Sequence, residues 1–283
     1  MFEQFALKKI LKSLQKNQIR MDTAHRRVAR PDESKLGGNP FLPVGFVWPT
    51  FTSKEDNVTR PLSFFCQINL QDITALDTDR MLPERGLLYF FYDTESFCWG
   101  FDPTDKGAVQ VYYYENTEGF APCALPPDVP EESTIPEIAL QFTTEPSFPG
   151  FEEFECYSDL DVDWEDYDRV LAKLGIDPEA EDEKHKLLGY ADLIQGEILT
   201  ECERARRGLY SGDPESYQRT EADEAAAIHA CAKDWVLLLQ LSTICARDFE
   251  WMFGDCGSLY YYIRKEDLAA RRFENAWFSV QCY

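Results

Sequence analysis

Residues 235–283 contain three apolar runs separated by turn-forming residues: WVLLLQLSTI (235–244), GSLYYYIR (257–264) and AWFSVQCY (276–283). Their β-branched and aromatic residues, with turn formers at the borders, fit an antiparallel sheet. Three runs of the same kind occur earlier in the chain: PLSFFCQINL (61–70), GLLYFFYD (86–93) and AVQVYYYE (108–115). The sequence therefore predicts two β-rich units.

The two sets of runs align in the same order. SFFCQINL aligns with VLLLQLST, which gives Gln67 and Gln240 equivalent positions, and GLLYFFYD aligns with GSLYYYIR. In the third pair, VQVY (109–112) aligns with VQCY (280–283). Repetition of this kind indicates an internal duplication. The predicted fold class is α+β: two copies of an antiparallel β-rich unit with flanking helices, related by a pseudo-twofold axis.

Composition divides the chain into four segments. Residues 1–35 carry a net charge of +5 and predict a basic amphipathic N-terminal helix, over about the first eighteen residues, followed by an arm. A first β-rich repeat (36–118) and a second α/β repeat (184–283) flank an acidic, proline-rich insert (119–183) with short helices. We expect residues 36–283 to form one compact globular unit. Helices are predicted around 164–174, 178–187 and 213–233, the last beginning at Asp213 and Pro214.

Charge and cysteine usage restrict the function and the location. The 283 residues carry a net charge of −23, which argues against binding to nucleic acid or to anionic lipid. The first residues do not form a secretory signal, and no apolar window is long enough to span a membrane. The nine cysteines are scattered without a CxxC pair, as in a reduced protein. We therefore expect a cytoplasmic location.

The acidic part of the chain is the strongest sequence signal for function. Residues 115–183 hold 21 acidic residues against two basic ones, a net charge of −19. Within them, FEEFECYSDLDVDWEDYD (151–168) interleaves carboxylates with aromatic rings. Carboxylates would steer a basic protein and the rings would anchor it. The candidate binding residues are Glu152, Glu153, Asp161, Asp163 and Trp164. Alternatively, the aromatic residues cover the core and the acids only face solvent.

The equivalent glutamines are a second candidate site. Gln67 and Gln240 lie mid-strand among apolar residues, so each amide must find hydrogen-bond partners. In the functional interpretation they line a groove between the two copies, with Trp99 and Asp255 nearby. In the structural interpretation they bridge backbone groups.

Catalytic and metal-binding motifs are absent from the sequence. The segment GDCG (254–257) presents Cys256 between glycines, but no histidine is close enough in sequence to serve as its base, and we expect a tight turn. The segment DLDVD (159–163) begins like a calcium loop, but Trp164 and Val170 replace the required Gly and Glu. We therefore predict no catalytic residue, no metal and no cofactor.

Much of the chain resembles one family. SKLGGNPFLPVGFVWP (34–49), HKLLGYADLIQG (185–196), DWVLLLQLST (234–243) and the C-terminal stretch from residue 254 look like the YwqG-like family of bacterial proteins. The resemblance begins near residue 34. It implies a cytoplasmic α+β fold with duplicated sheets, and no reaction, since the family is a domain of unknown function. Phe253, where Trp is expected, and the bulky acidic middle depart from its pattern.

Two functional hypotheses follow. In the first, the protein is a non-enzymatic binding protein whose acidic surface captures a basic protein, in the manner of an immunity protein or antidote. In the second, it binds a small molecule, or acts as an enzyme, in the groove between the two repeats. Neither hypothesis sets the oligomeric state.

Overall fold

The structure, a computed structural model, describes residues 2–177, 185–246 and 248–283. In these ranges the α-helices are α1 (Phe2–Leu14), α2 (Leu70–Ile73), α3 (Phe151–Phe154), α4 (Trp164–Ala172), α5 (Leu199–Arg206), α6 (Pro214–Gln218), α7 (Ala222–Ala232) and α8 (Lys265–Ala269). The strands are β1 (Lys16–Thr23), β2 (Lys35–Leu36), β3 (Phe41–Pro43), β4 (Thr50–Thr52), β5 (Thr59–Pro61), β6 (Ser63–Asn69), β7 (Leu87–Tyr92), β8 (Val109–Tyr114), β9 (Phe120–Pro122), β10 (Ile138–Ser147), β11 (His185–Leu188), β12 (Trp235–Ser242), β13 (Ile244–Ala246), β14 (Phe249–Trp251), β15 (Ser258–Arg264) and β16 (Trp277–Gln281).

A ten-stranded sheet forms the framework of the molecule. Its strands follow the order β16-β15-β12-β11-β1-β10-β2-β6-β7-β8, and each pair is antiparallel. The six strands predicted from the apolar runs are all present, three in each half. The predicted α+β class is therefore confirmed as a large antiparallel sheet with a few helices.

The two strands at the centre of the sheet were not predicted. β1 lies in the segment expected to be helix and arm, and α1 ends at Leu14. β1 contains only two apolar residues, Ile19 and Met21, among polar and charged ones, so the strand pattern is weak. β10 lies in the proline-rich segment, whose prolines predict an extended and irregular chain; Ile138–Ser147 is extended but forms a regular strand. Antiparallel pairing of β1 with β10 joins the two halves.

Several other predictions need correction. VQVY and VQCY are out of register, because Val109 pairs with Tyr92 at the end of β7 whereas Val280 pairs with Leu259 near the start of β15. The helix expected over 213–233 is two helices, α6 and α7, although Asp213 does cap α6 through the Ser216 amide. Of the helix expected around 178–187, residues 178–184 lie outside the described ranges and the following residues form β11.

The acidic segment docks on the N-terminal helix. Leu7 and Leu11 of α1 pack with Tyr167, Val170 and Leu171 of α4 in a small core of their own. The helix predicted near 164–174 is thus confirmed, and its apolar face is buried. Other residues of α3 and α4 line a cleft together with residues of β12 and β15.

Candidate functional site

Three polar side chains on neighbouring strands converge on Asp192. Lys186 Nζ lies 2.7 Å from Asp192 Oδ2. Gln240 Oε1 accepts the Asp192 N–H at 2.9 Å, and Gln240 Nε2 donates to Asp192 Oδ2 at 3.1 Å. The Tyr260 hydroxyl donates to the Asp192 carbonyl at 2.6 Å. The backbone and the carboxylate of Asp192 are therefore both held in place, while half of its side chain remains exposed.

The strand register explains this convergence. Lys186 of β11 is directly opposite Gln240 of β12, which is directly opposite Tyr260 of β15. Directly opposed residues in an antiparallel sheet project from the same face. The buried Lys186 ammonium also donates to Gln18 Oε1 at 3.2 Å, and these partners offset the cost of removing its charge from water. Burial raises the pKa of Tyr260, so its hydroxyl stays a donor at neutral pH.

A cleft of about 990 Å³ opens beside this group. The described residues that line it are Phe148, Pro149, Gly150, Phe151, Glu152, Trp164, Asp168, Leu171, Ile176, Asp177, Ala191, Asp192, Leu193, Ile194, Gln240, Ser242, Cys256, Ser258 and Tyr283. Four of them carry carboxylates, and no Lys, Arg or His occurs in this described lining. Phe151, Trp164 and Tyr283 are exposed aromatic residues along its wall. The cleft therefore combines negative charge with aromatic surface.

The acidic candidates from the sequence occupy different environments. Glu152 and Trp164 line the cleft. Glu153 lies on the buried side of α3, where its Oε1 accepts the Tyr157 hydroxyl at 3.0 Å and burial raises its pKa. Asp163 caps α4 by accepting the Asp166 amide at 2.8 Å, and Asp161 is exposed outside the lining.

The two equivalent glutamines also differ in environment. Gln67 is fully buried, accepts the Phe41 N–H at 2.7 Å and donates to the carbonyls of Pro31 (3.0 Å) and Glu33 (2.9 Å). These bonds are the backbone bridges of the structural interpretation. Gln240 instead contacts Asp192 and lines the cleft. The structure therefore does not place both amides in one groove.

Asp255 and Trp99 were the other candidates. Asp255 lies in the turn before β15, where Phe253 and Gly257 form a bridge and its carbonyl accepts the Tyr283 N–H at 3.0 Å. The expected turn is confirmed, although Gly254 and Cys256, not Asp255, have positive φ. Trp99 lines a separate cavity of about 200 Å³.

Sequence reasoning missed Asp192, the central residue of the cleft. A signal was available, because HKLLGYAD aligns with SKLGGNPF and places Asp192 at the position of Phe41. An acid aligned with an aromatic residue marks a change from packing to a polar site.

Two acidic residues elsewhere have pKa values near neutrality. Burial raises the pKa of Glu197 to about 7 and that of Glu201 to about 8. Both lie at the start of α5, and the described lining of the cleft does not include them. Across the described ranges, no group of three or more His, Cys, Asp or Glu residues is placed to hold a metal ion.

The fold and the cleft define an α+β protein built on one antiparallel sheet, with an acidic pocket at one end. The chain belongs to the family described as a domain of unknown function (DUF1963), whose model matches residues 34–282. The central strand β1 lies before the matched region. No curated protein matches the chain. Within the described residues, no helix is both long enough and apolar enough to cross a bilayer.

Proposed function

We propose that the protein binds a basic protein partner, and that the cleft around Asp192 receives a lysine or arginine side chain of that partner. The observation that carries this proposal is the combination of four carboxylates with exposed aromatic rings in a single cleft. This is the acidic-surface hypothesis with a defined location. It makes the protein non-enzymatic, as an immunity protein or antidote would be.

Asp192 is suited to this role because it is already ordered. Its contacts with Lys186, Gln240 and Tyr260 remove the freedom that an exposed carboxylate would lose on binding. An incoming guanidinium or ammonium group would contact the exposed half of Asp192 and the nearby Glu152. Trp164, which is 61% exposed, would cover its aliphatic stem or its cationic head.

The net charge of −23 would act at longer range. It would speed the encounter with a basic partner, and salt would weaken this contribution. The cleft supplies what net charge alone does not, namely a fixed position for one cationic group.

We also propose that the two halves of the sheet are copies of one unit, that the chain falls within the YwqG-like branch and that it is cytoplasmic. The duplication is supported by the matching order of strands in each half and by a register shift at the same place, between Phe64 and Cys66 and between Leu237 and Leu239. It is also supported by the matched positions of Lys35 and Lys186 opposite the equivalent glutamines.

The binding proposal is tested with a fluorescent hexa-arginine peptide, titrated at about 0.05 and 0.3 M salt by anisotropy. The Asp192→Asn, Glu152→Gln double variant removes two charges from the cleft. The Glu118→Gln, Asp128→Asn double variant removes two exposed charges outside it. We expect the cleft variant to weaken binding about tenfold and the control variant less than about twofold. Equal losses in the two variants, or no loss in the cleft variant, would contradict the proposal.

The same pair of variants is then used to recover partners from the native lysate. We expect to recover one stoichiometric basic protein with the parent and with the control variant, and not with the cleft variant. Retention of that protein by the cleft variant would place the binding surface elsewhere.

A further inference from the structure

A second cavity lies apart from the acidic cleft, where a loop of the first half meets the second half. It has a volume of about 200 Å³, and its aromatic lining comes from Phe51, Phe97, Trp99 and Phe101 of the first half and Tyr210 of the second. The loop is fixed to the second half by backbone bonds: the Ser211 N–H donates to the Phe101 carbonyl at 2.9 Å. The cavity therefore depends on both halves of the molecule.

The aromatic walls are pre-arranged. The rings of Phe97 and Trp99 are 5.4 Å apart and meet edge to face. Trp99 is 37% exposed and Tyr210 is 41% exposed, which leaves ring surface open at the cavity. Open aromatic faces around a small cavity offer stacking surface to a flat ring.

One edge of the cavity is polar, with a donor and acceptors side by side. Lys54 Nζ lies 2.5 Å from Asp102 Oδ2 and 3.9 Å from Asp105 Oδ1. Asp105 is only 6% exposed, and its other oxygen accepts the Gly100 N–H at 3.2 Å. Because the lining also includes Glu55, carboxylates outnumber ammonium groups three to one in its described residues.

Two further features of the same loop point to a ligand. Ser96 is one of the lining residues, and its buried hydroxyl has no hydrogen-bond partner among the described atoms. A buried polar group left in this state costs about 1–3 kcal/mol, which a ligand atom or an ordered water would recover. Phe97 has φ 51°, a left-handed conformation that costs an L-residue about 1–2 kcal/mol. Backbone strain of this kind is frequent at ligand clamps.

We propose that this cavity binds an uncharged, planar heteroaromatic ring that carries a hydrogen-bond donor and an acceptor on one edge, as free nucleobases do. Trp99 and Tyr210 stack on the ring, while Lys54, Asp105 and Ser96 bind its polar edge. The excess of carboxylates disfavours a phosphate, so a nucleotide is excluded. The volume also falls below the ~300–1,000 Å³ of sites for larger ligands. This site is independent of the proposed partner-binding cleft.

The test is a titration with adenine, indole and adenosine 5′-monophosphate, in which binding is measured by ligand-observed NMR. Adenine is expected to bind saturably, indole about tenfold more weakly because it lacks the acceptor, and the monophosphate at least about tenfold more weakly because of its charge. Equal binding of all three, or no saturable binding of adenine, would overturn the proposal.

Variants then locate the site. Trp99→Ala and Asp105→Asn are each expected to weaken adenine binding about tenfold, whereas Trp164→Ala in the acidic cleft leaves it unchanged. Tyr210→Ala, at an exposed position on the opposite wall, is expected to reduce binding as well and keeps the test valid if a loop variant misfolds. Adenine binding that persists in both Trp99→Ala and Tyr210→Ala would place it outside this cavity.

Discussion

Each half of the sheet contains a lysine, a glutamine and a tyrosine on adjacent strands, which we call its polar corner. The two polar corners bind different residues. In the first half, Lys35, Gln67 and Tyr89 lie on adjacent strands, and the latter two bind the backbone of Phe41. In the second half, Gln240 and Tyr260 bind the backbone of Asp192 in the same way, and Lys186 contacts the carboxylate of Asp192.

The held residue determines what each corner does. Phe41 belongs to β3, which pairs with β9, and its ring packs 5.8 Å from the ring of Phe120. That corner is therefore covered and forms part of the core. Among the described residues, no strand includes Asp192, which lies in the lining of the acidic cleft. In both polar corners the glutamine and the tyrosine fix the backbone of one residue. That residue packs in the core where it is Phe41, and it lines the cleft where it is Asp192.

The largest expected effect concerns the loop that follows each lysine. Gly37 (φ 53°) and Leu188 (φ 62°) occupy matched positions two residues after Lys35 and Lys186. A Cβ on Gly37 would lie 2.2 Å from the Ile135 carbonyl oxygen, a clash with backbone. Gly37→Ala is expected to lower the free energy of unfolding by about 4 kcal/mol or more, measured by urea denaturation.

Gly45→Ala is the matched control for this variant. Gly45 also has a positive φ, 83°, but a Cβ there would meet no atom within 4 Å. We expect Gly45→Ala to lower the free energy of unfolding only by the cost of a left-handed conformation, about 1–2 kcal/mol. Equal losses of stability in the Gly37 and Gly45 variants would show that the backbone around Ile135 moves away from the added Cβ. The polar corner of the first half would then not be rigid.

The glutamines give the next largest effect. Gln67→Ala removes the hydrogen-bond partner of three backbone groups, one of which, the Glu33 carbonyl, is in a fully buried bond, so we expect a loss of about 3 kcal/mol in unfolding free energy. Gln240→Ala should cost about 1–2 kcal/mol, because water in the cleft can replace its bonds to Asp192. The two values come from matched urea titrations. A Gln240→Ala loss as large as that of Gln67→Ala would mean that the cleft is as dry as the core.

The outer strands of each half could be predicted from the sequence because apolar and aromatic residues dominate them. All seven residues of β6 and all eight of β12 are buried, so their runs are unmistakable. The central strands β1 and β10 were missed because few of their residues are apolar, and β10 even contains Pro146. Their pairing with each other is a long-range contact that no local pattern records.

The acidic cleft could be predicted only in part. The composition of residues 151–168 predicted Glu152 and Trp164 correctly as residues of the cleft. It also predicted Glu153, which is buried on the other side of α3. Whether a carboxylate faces a cleft or a core depends on how a short helix docks. Gln240 could be predicted because it aligns with an identical residue, Gln67. Asp192 was missed because it aligns with a different residue, Phe41.

A further expected effect, smaller than that of Gln67→Ala, is a pH dependence of stability present in only one half. The Ser34 hydroxyl accepts the Asn69 N–H at 2.8 Å, and His185 Nδ1 accepts the Ser242 N–H at 3.2 Å at the matched position. Burial lowers the pKa of His185 to about 4 from 6.5. Between these values the unfolded chain binds a proton that the folded chain does not. This contribution to stability is therefore present above pH 6.5 and is lost as the pH falls toward 4.

From pH 7 to pH 5 the His185 contribution to the free energy of unfolding should fall by about 2 kcal/mol. His185→Ser, which installs the residue of the first half, is expected to remove that part of the pH dependence in urea titrations at the two pH values. His229→Ser, at an exposed position of α7, serves as the control and should leave it unchanged. If His185→Ser and the parent lose the same stability over this range, burial does not lower the pKa of His185 in the folded chain, and the two halves respond to acid alike.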